Sequence, residues 1–232
     1  MKTEAAELRV IAGGSINALL NELGPQFERA TGHKLSIHFD STPNIIARMI
    51  SGTPFDAIVV PSDVLRDAGA KALLATSPID EIALVGYGVI VRAGAPIPDI
   101  STPDALKKTL LDAKSVAYLP ASAAGAYITK VFERLEIAED MKAKTKVRAS
   151  PTEIAPAVAR GDAELGVFLT NVLMAPGVEL AGPFPGDLQQ ELVFVGAVAA
   201  ESKDAAAAKA FLDFLGTPEA VSVFKANGVT PG

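Results

Sequence analysis

Apolar positions along the chain recur first at every second residue and then at every third or fourth, which predicts strands and helices in regular succession. Residues 8–12 are an apolar, partly β-branched run that passes through Gly13-Gly14-Ser15 into Ile16, Leu19, Leu20, Leu23 and Phe27 at helical spacing. Thr31-Gly32-His33 ends that helix, glycine supplying the left-handed residue, and 34–39 alternates Leu35, Ile37 and Phe39 as a strand. The polar loop Asp40-Ser41-Thr42-Pro43-Asn44 then leads to Ile45, Ile46, Met49 and Ile50 on one helical face. Gly52-Thr53-Pro54 turns the chain into the wholly apolar strand 57–60, and Pro61-Ser62-Asp63 is the expected cap of the helix after it. Three such units in succession imply a parallel α/β sheet.

Beyond Leu74 the pattern changes to two strand-like runs, 81–85 and 87–91, around Gly86, followed by the Pro/Gly-rich stretch 92–98, which reads as a crossing between lobes. Thr102-Pro103-Asp104 caps a helix through Leu110 and Leu111, and 115–119 is a strand. Pro120-Ala121-Ser122-Ala123-Ala124-Gly125 opens a helix carrying Tyr127, Ile128, Val131, Phe132 and Leu135. Basic residues at alternate positions over 142–148 suit an exposed strand, and Ser150-Pro151-Thr152-Glu153 has the spacing of a capping box before a helix that Gly161 ends. Residues 165–169 form a strand, Thr170-Asn171 begins a short helix, and 176–177 and 182–186 are loops. A strand over 191–199 and an amphipathic helix over 205–215 close the chain. The reading is an α/β fold of two lobes, 1–84 plus 191–232 and 85–190, with mixed, mostly parallel sheets, a hinge of two crossover segments and a ligand cleft between the lobes.

The 232 residues are 49% hydrophobic and 21% charged, a globular composition, and no apolar run reaches the length of a membrane span. The balance of 21 basic against 27 acidic residues, net charge −6, disfavours nucleic acid, which needs clustered Lys and Arg. The absence of cysteine removes disulfides, thiolate metal sites and thiol nucleophiles. His33 and His38 read as surface residues, so neither a zinc site nor a Ser-His-Asp relay is expected. Met1-Lys2-Thr3-Glu4-Ala5-Ala6-Glu7 lacks the apolar core of a secretory signal. Taken literally that means a cytoplasmic chain; a mature extracytoplasmic form bearing an initiator Met is the alternative.

Small polar residues join strand ends to helix starts at Gly13-Gly14-Ser15, Asp40-Ser41-Thr42, Ala123-Ala124-Gly125 and Ser150-Pro151-Thr152. A helix start offers unpaired N–H groups and a partial positive charge, and a hydroxyl there adds a donor, so several converging ends make an anion cage. The plain alternative is that each Ser or Thr caps its own helix. Gly13-Gly14 fits neither the dinucleotide nor the Walker fingerprint, and no cofactor is expected. Asp40 either repels an anion, is paired away, or accepts from a ligand hydroxyl. Arg48, Arg92 and Arg148 stand near expected loops, as carboxylate partners or as solvated surface arginines.

Val10-Ile11-Ala12-Gly13-Gly14-Ser15, Phe27-Glu28-Arg29-Ala30-Thr31-Gly32, the run 46–57, Pro61-Ser62-Asp63, Leu165-Gly166-Val167 and the closing 224–229 together resemble the molybdate-binding, type II periplasmic solute-binding proteins of ABC importers. The resemblance implies two α/β lobes around a small anion held by hydroxyl and backbone N–H donors, a periplasmic monomer, and an ABC permease as partner. By position it implies Gly14, Ser15, Ser41, Thr42, Ala124, Gly125 and Thr152 as ligand-binding residues, with Tyr127 as a substitute hydroxyl. Where molybdate binders carry a tyrosine after the strand this chain has Leu169, and Asp40-Ser41-Thr42-Pro43 stands in the serine-rich run. One hydroxyl lost and one carboxylate gained favour an organic acid over molybdate. The same scaffold is similar to that of an aconitate isomerase, for which Asp40, Tyr127 and Glu153 are the acid–base candidates; a cytoplasmic anion sensor is a third alternative.

Overall fold

The computed structural model describes residues 5–76 and 79–232, so the reading of Met1-Lys2-Thr3-Glu4 lies outside the described residues. The chain divides into two compact α/β units. One holds the described residues up to Leu84 together with Val193–Gly232, and the other is Val85–Leu192. Among the described residues no helix is long and apolar enough to cross a membrane.

In the first unit β1 (Glu7–Gly13) leads through a 3-10 turn at Gly14–Ile16 into α1 (Asn17–Thr31), and Gly32 ends that helix at φ 80°. Next come β2 (Lys34–Asp40), α2 (Thr42–Ile50), β3 (Ala57–Pro61), α3 (Ala68–Ala72) and the start of β4 (Asp80–Arg92). β1 lies between β2 and β3, parallel to both, because all three strands return through helices. Every residue of β3 is buried, as its unbroken apolar sequence requires.

Ile11, Ile58, Val60 and Val195 pack with Ile45 and Met49 of α2 in the core. Phe27 packs edge-on against Phe211 with ring centres 5.3 Å apart. Asp56, 0% exposed, accepts from the Arg9 guanidinium at 2.9 and 3.1 Å, the Arg9 N–H at 2.9 Å and the Ser202 hydroxyl at 2.9 Å. The cap of α3 is Asp67, accepting from the Ala70 N–H at 2.9 Å, and the expected Pro61-Ser62-Asp63 cap is a 3-10 turn over Ser62–Arg66 instead. His33 is not on the surface: it is 7% exposed, and its Nδ1 accepts from the Ala6 N–H.

The second unit takes the rest of β4, then α4 (Pro103–Asp112), β5 (Val116–Tyr118), α5 (Ala123–Arg134), α6 (Ala138–Lys144) and β6 (Thr145–Val147). α7 (Ile154–Arg160), β7 (Leu165–Leu169), α8 (Thr170–Leu173), β8 (Val178–Pro183) and the first residues of β9 (Glu191–Val198) complete it. β5 runs parallel to β6 and β7, while β4 pairs antiparallel with β7 and β8. In the first unit β9 pairs antiparallel with β3, and α9 (Ala205–Leu215), α10 (Pro218–Ala226) and β10 (Thr230–Pro231) follow.

Several expectations are corrected. The two strands around Gly86 are one, β4, and the 92–98 stretch lies wholly inside the second unit rather than between units. Half of the supposed basic strand 142–148 is the end of α6, where Glu139 and Asp140 open the helix and Lys142 and Lys144 close it in accord with its dipole. Gly182 and Pro183 belong to β8, on the edge of β4, and not to a loop. The chain also goes on past the expected last helix into α10, capped by Thr217.

Candidate functional site

The candidate residues fall at the carboxyl edges of the two sheets. In the first unit Gly13 and Asp40 are register partners at the ends of β1 and β2, so Gly14-Ser15 and Ser41-Thr42 leave the sheet side by side. Ala12 pairs with Val59, which brings Ser62, just past β3, to the same edge. Ser62, expected as part of a helix cap, forms no side-chain cap and is a fourth hydroxyl of this edge, after Ser15, Ser41 and Thr42. The polar loop expected over 40–44 is a single residue, Ser41, with Thr42-Pro43 already in the first turn of α2. At Gly13 a Cβ would lie 2.9 Å from the Phe194 ring and 3.1 Å from Pro61, so this strand end tolerates no side chain.

Asp40 is enclosed by its neighbours. Its carboxylate accepts from the Ser41 N–H at 2.8 Å and the Asn44 amide at 2.7 Å, and His38 Nε2 lies 3.3 Å away. Burial pushes its carboxyl up, but the hydrogen bonds from Asn44, Ser41 and His38 outweigh burial and hold it below the ordinary carboxylate value. Asp40 is therefore an anion at neutral pH.

In the second unit β5 ends between β6 and β7. The loops after these strands, carrying Ser122 to Gly125, Arg148 to Glu153, and Thr170-Asn171, share one edge. Ser122 caps α5, its hydroxyl accepting from the Gly125 N–H at 2.9 Å and donating to Leu119 O at 2.9 Å. The Gly125 N–H is thereby consumed. Gly125 itself is needed for space, since a Cβ there would sit 1.8 Å from Leu119 O. The Ala124 N–H belongs to the first turn, whose donors have no acceptor within the helix.

Ser150 and Thr152 join hydroxyl to hydroxyl at 2.6 Å, and Glu153 accepts from the Ala149 N–H at 3.1 Å, so the expected capping box forms only in part and one residue early. Tyr127, one turn into α5, donates its hydroxyl to Leu188 O at 2.8 Å and packs on Tyr87 with ring centres 4.8 Å apart. Burial raises its phenol above the ordinary value. Leu169 is fully buried at the end of β7. The described residues hold no cluster of His, Cys, Asp and Glu suited to a metal ion.

The candidates thus assemble as two sets, Gly14, Ser15, Asp40, Ser41 and Thr42 in the first unit and Ala124, Gly125, Thr152 and Glu153 in the second, with Tyr127 turned to a carbonyl of its own unit. Arg48 lies on α2, Arg92 is exposed at the end of β4, and Arg148 stands half-buried one residue beyond β6.

Known proteins match nearly the whole chain. It is 33% identical to an aconitate isomerase of Pseudomonas sp, over 97% of this chain and 87% of that protein. It is 28% identical to the molybdate-binding protein ModA of Azotobacter vinelandii, over 97% and 90%. The solved periplasmic molybdate-binding protein of Azotobacter vinelandii superposes with a TM-score of 0.79 at 19% identity, covering 96% of this chain and 98% of that one, which shows the type II binding-protein fold. A family model of bacterial extracellular solute-binding proteins matches residues 8–230. The chain belongs to the bacterial extracellular solute-binding protein family.

Proposed function

We propose that the chain works outside the cytoplasm and captures a small organic acid with more than one carboxylate, which it delivers to an ABC permease. The donors assigned to anions in this reading are Ser15, Ser41 and Thr42 in the first unit and the Ala124 N–H and Thr152 in the second. The observation that carries the choice of ligand is Asp40, held as an anion within the same strand edge as Ser15 and Ser41. A molybdate-like dianion offers only acceptors at neutral pH and is repelled there; two like charges about 4 Å apart cost about 4 kcal/mol at an effective dielectric near 20. A hydroxy acid or a partly protonated polycarboxylic acid instead supplies an O–H that Asp40 accepts. The relative named as an aconitate isomerase supports a polycarboxylate as the ligand class.

The same relative favours a second reading, proton transfer on a bound tricarboxylate. A general base for that step needs a proton affinity near the working pH. Asp40 is held below that range, the Tyr127 proton is committed to Leu188 O, and Glu153 is exposed and accepts from its own loop, so binding without turnover is the better-supported reading. Thermal-shift measurements with molybdate, sulfate, phosphate, citrate, malate and both aconitates test this. A ligand at about 1,000 times its Kd stabilises by about 4 kcal/mol, on the order of 10 °C at this chain length. A shift confined to carboxylates is expected, and proton NMR of trans-aconitate left with the protein is expected to show no new isomer. A shift confined to molybdate contradicts the ligand class, and appearance of the cis isomer establishes the second reading.

A further inference from the structure

The Arg148 Nε is a buried nitrogen with no hydrogen-bond partner among the described residues. Buried donors are almost always bonded, and a guanidinium cannot relieve the cost by losing its proton. No carboxylate among the described residues forms an ion pair with it either. The acidic group of its own loop, Glu153, is turned to the Ala149 N–H instead.

Its place in the fold is equally specific. The Arg148 N–H donates to Tyr118 O at 3.3 Å, which pins the residue beside the end of β5, where the chain enters the Ser122 loop and α5. The Ser150–Thr152 hydroxyl pair follows two residues later. The cation therefore stands on the carboxyl edge of the second unit's sheet, among the donors assigned to the ligand above.

We propose that Arg148 receives a carboxylate of the ligand through the edge of its guanidinium that carries Nε, an inference that rests on the anion-binding reading. That edge presents two parallel N–H groups whose spacing matches the two oxygens of a planar carboxylate. Neutral donors suit hydroxyls and further oxygens, so Arg148 takes the carboxylate end of an asymmetric acid. The unpartnered Nε of the free protein is the group that ligand binding completes.

The test uses Arg148→Lys and Arg148→Met in the full chain. Calorimetric titrations with citrate, malate, trans-aconitate, sulfate and molybdate are combined with the melting temperature of each ligand-free protein. Both substitutions are expected to weaken carboxylate binding by about 30-fold or more, lysine included because it keeps the charge but lacks the fork. Ligand-free Arg148→Met is expected to melt at or above the unsubstituted protein, since methionine replaces a buried unpaired donor. Carboxylate affinity that stays within threefold in Arg148→Met overturns this inference alone, as does a melting temperature several degrees lower, which would make Arg148 structural. Sulfate or molybdate binding that equals the carboxylates and depends on Arg148 overturns the carboxylate assignment. Silence of the unsubstituted protein toward all five overturns the anion-binding reading and this inference with it.

Discussion

The Gln189 amide engages both backbone groups of Tyr87, accepting from the Tyr87 N–H at 2.9 Å and donating to Tyr87 O at 2.9 Å. Tyr87 lies just after β4 enters the second unit and Gln189 just before β9 leaves it, so the pair ties the entering and leaving segments together. Gly86 makes room, since a Cβ there would stand 3.2 Å from the Gln189 amide nitrogen. Gln189→Ala removes two partly buried hydrogen bonds, although Tyr87 O keeps the Phe184 N–H at 3.0 Å, and the expected loss is about 1–3 kcal/mol in urea unfolding. Amide exchange at Tyr87 is expected to speed up in the same variant; unchanged exchange would mean that the clamp holds nothing.

A pH effect follows from Asp56. Burial pushes its carboxyl up, yet the hydrogen bonds from the Arg9 side chain, the Arg9 N–H and Ser202, with the Arg9 charge, leave it below the ordinary value. A carboxyl lowered by folding stabilises the protein above its unfolded value, about 3.9, and that contribution is lost as pH falls through the lower folded value. The unsubstituted protein is therefore expected to lose stability steadily below about pH 4. Asp56→Asn should flatten that fall and cost roughly 1–3 kcal/mol at pH 7, less than for a fully buried ion pair because Arg9 is half exposed. Melting curves from pH 3 to pH 7 check both.

Gly125→Ala places a methyl against the Leu119 carbonyl, where only 1.8 Å is available and the obstacle is backbone. The start of α5 must shift, and the expected cost is about 3 kcal/mol or more in chemical unfolding. A stability change under 1 kcal/mol would show that the approach of α5 to the end of β5 is looser than described.

Two substitutions in the first unit separate attraction from repulsion. Ser15→Ala removes a donor at the end of β1 and is expected to weaken carboxylate binding by about 1–3 kcal/mol in calorimetry. Asp40→Asn removes the fixed negative charge, so sulfate or molybdate should gain affinity while a hydroxy acid that donates to Asp40 should lose it. Parallel losses for all anions would mean that Asp40 serves only to hold Ser41 and Asn44.

The strand–helix units are readable because each strand and each helical face carries its own period, and because Gly32 in the first unit and Gly161 in the second sit where left-handed residues are needed. Gly86 misleads because a glycine inside a strand looks like a break; the Gln189 side chain that fills its open side lies a hundred residues away. The alternation of Lys142, Lys144, Lys146 and Arg148 mimics a strand although its first half ends a helix, for exposed residues carry little periodic information. At the candidate site the hydroxyls at strand ends are legible as residue types. The engagement of Gly125 with Ser122 is a local helix cap, whereas that of Tyr127 with Leu188 and the unmet Arg148 Nε arise from packing between distant segments and leave no local signal.

The most direct measurement is a calorimetric titration of the purified chain with citrate, trans-aconitate and molybdate at neutral pH. The account predicts a saturable isotherm with one carboxylate ligand per chain and no titratable heat from molybdate. Tight molybdate binding with both carboxylates silent would contradict it.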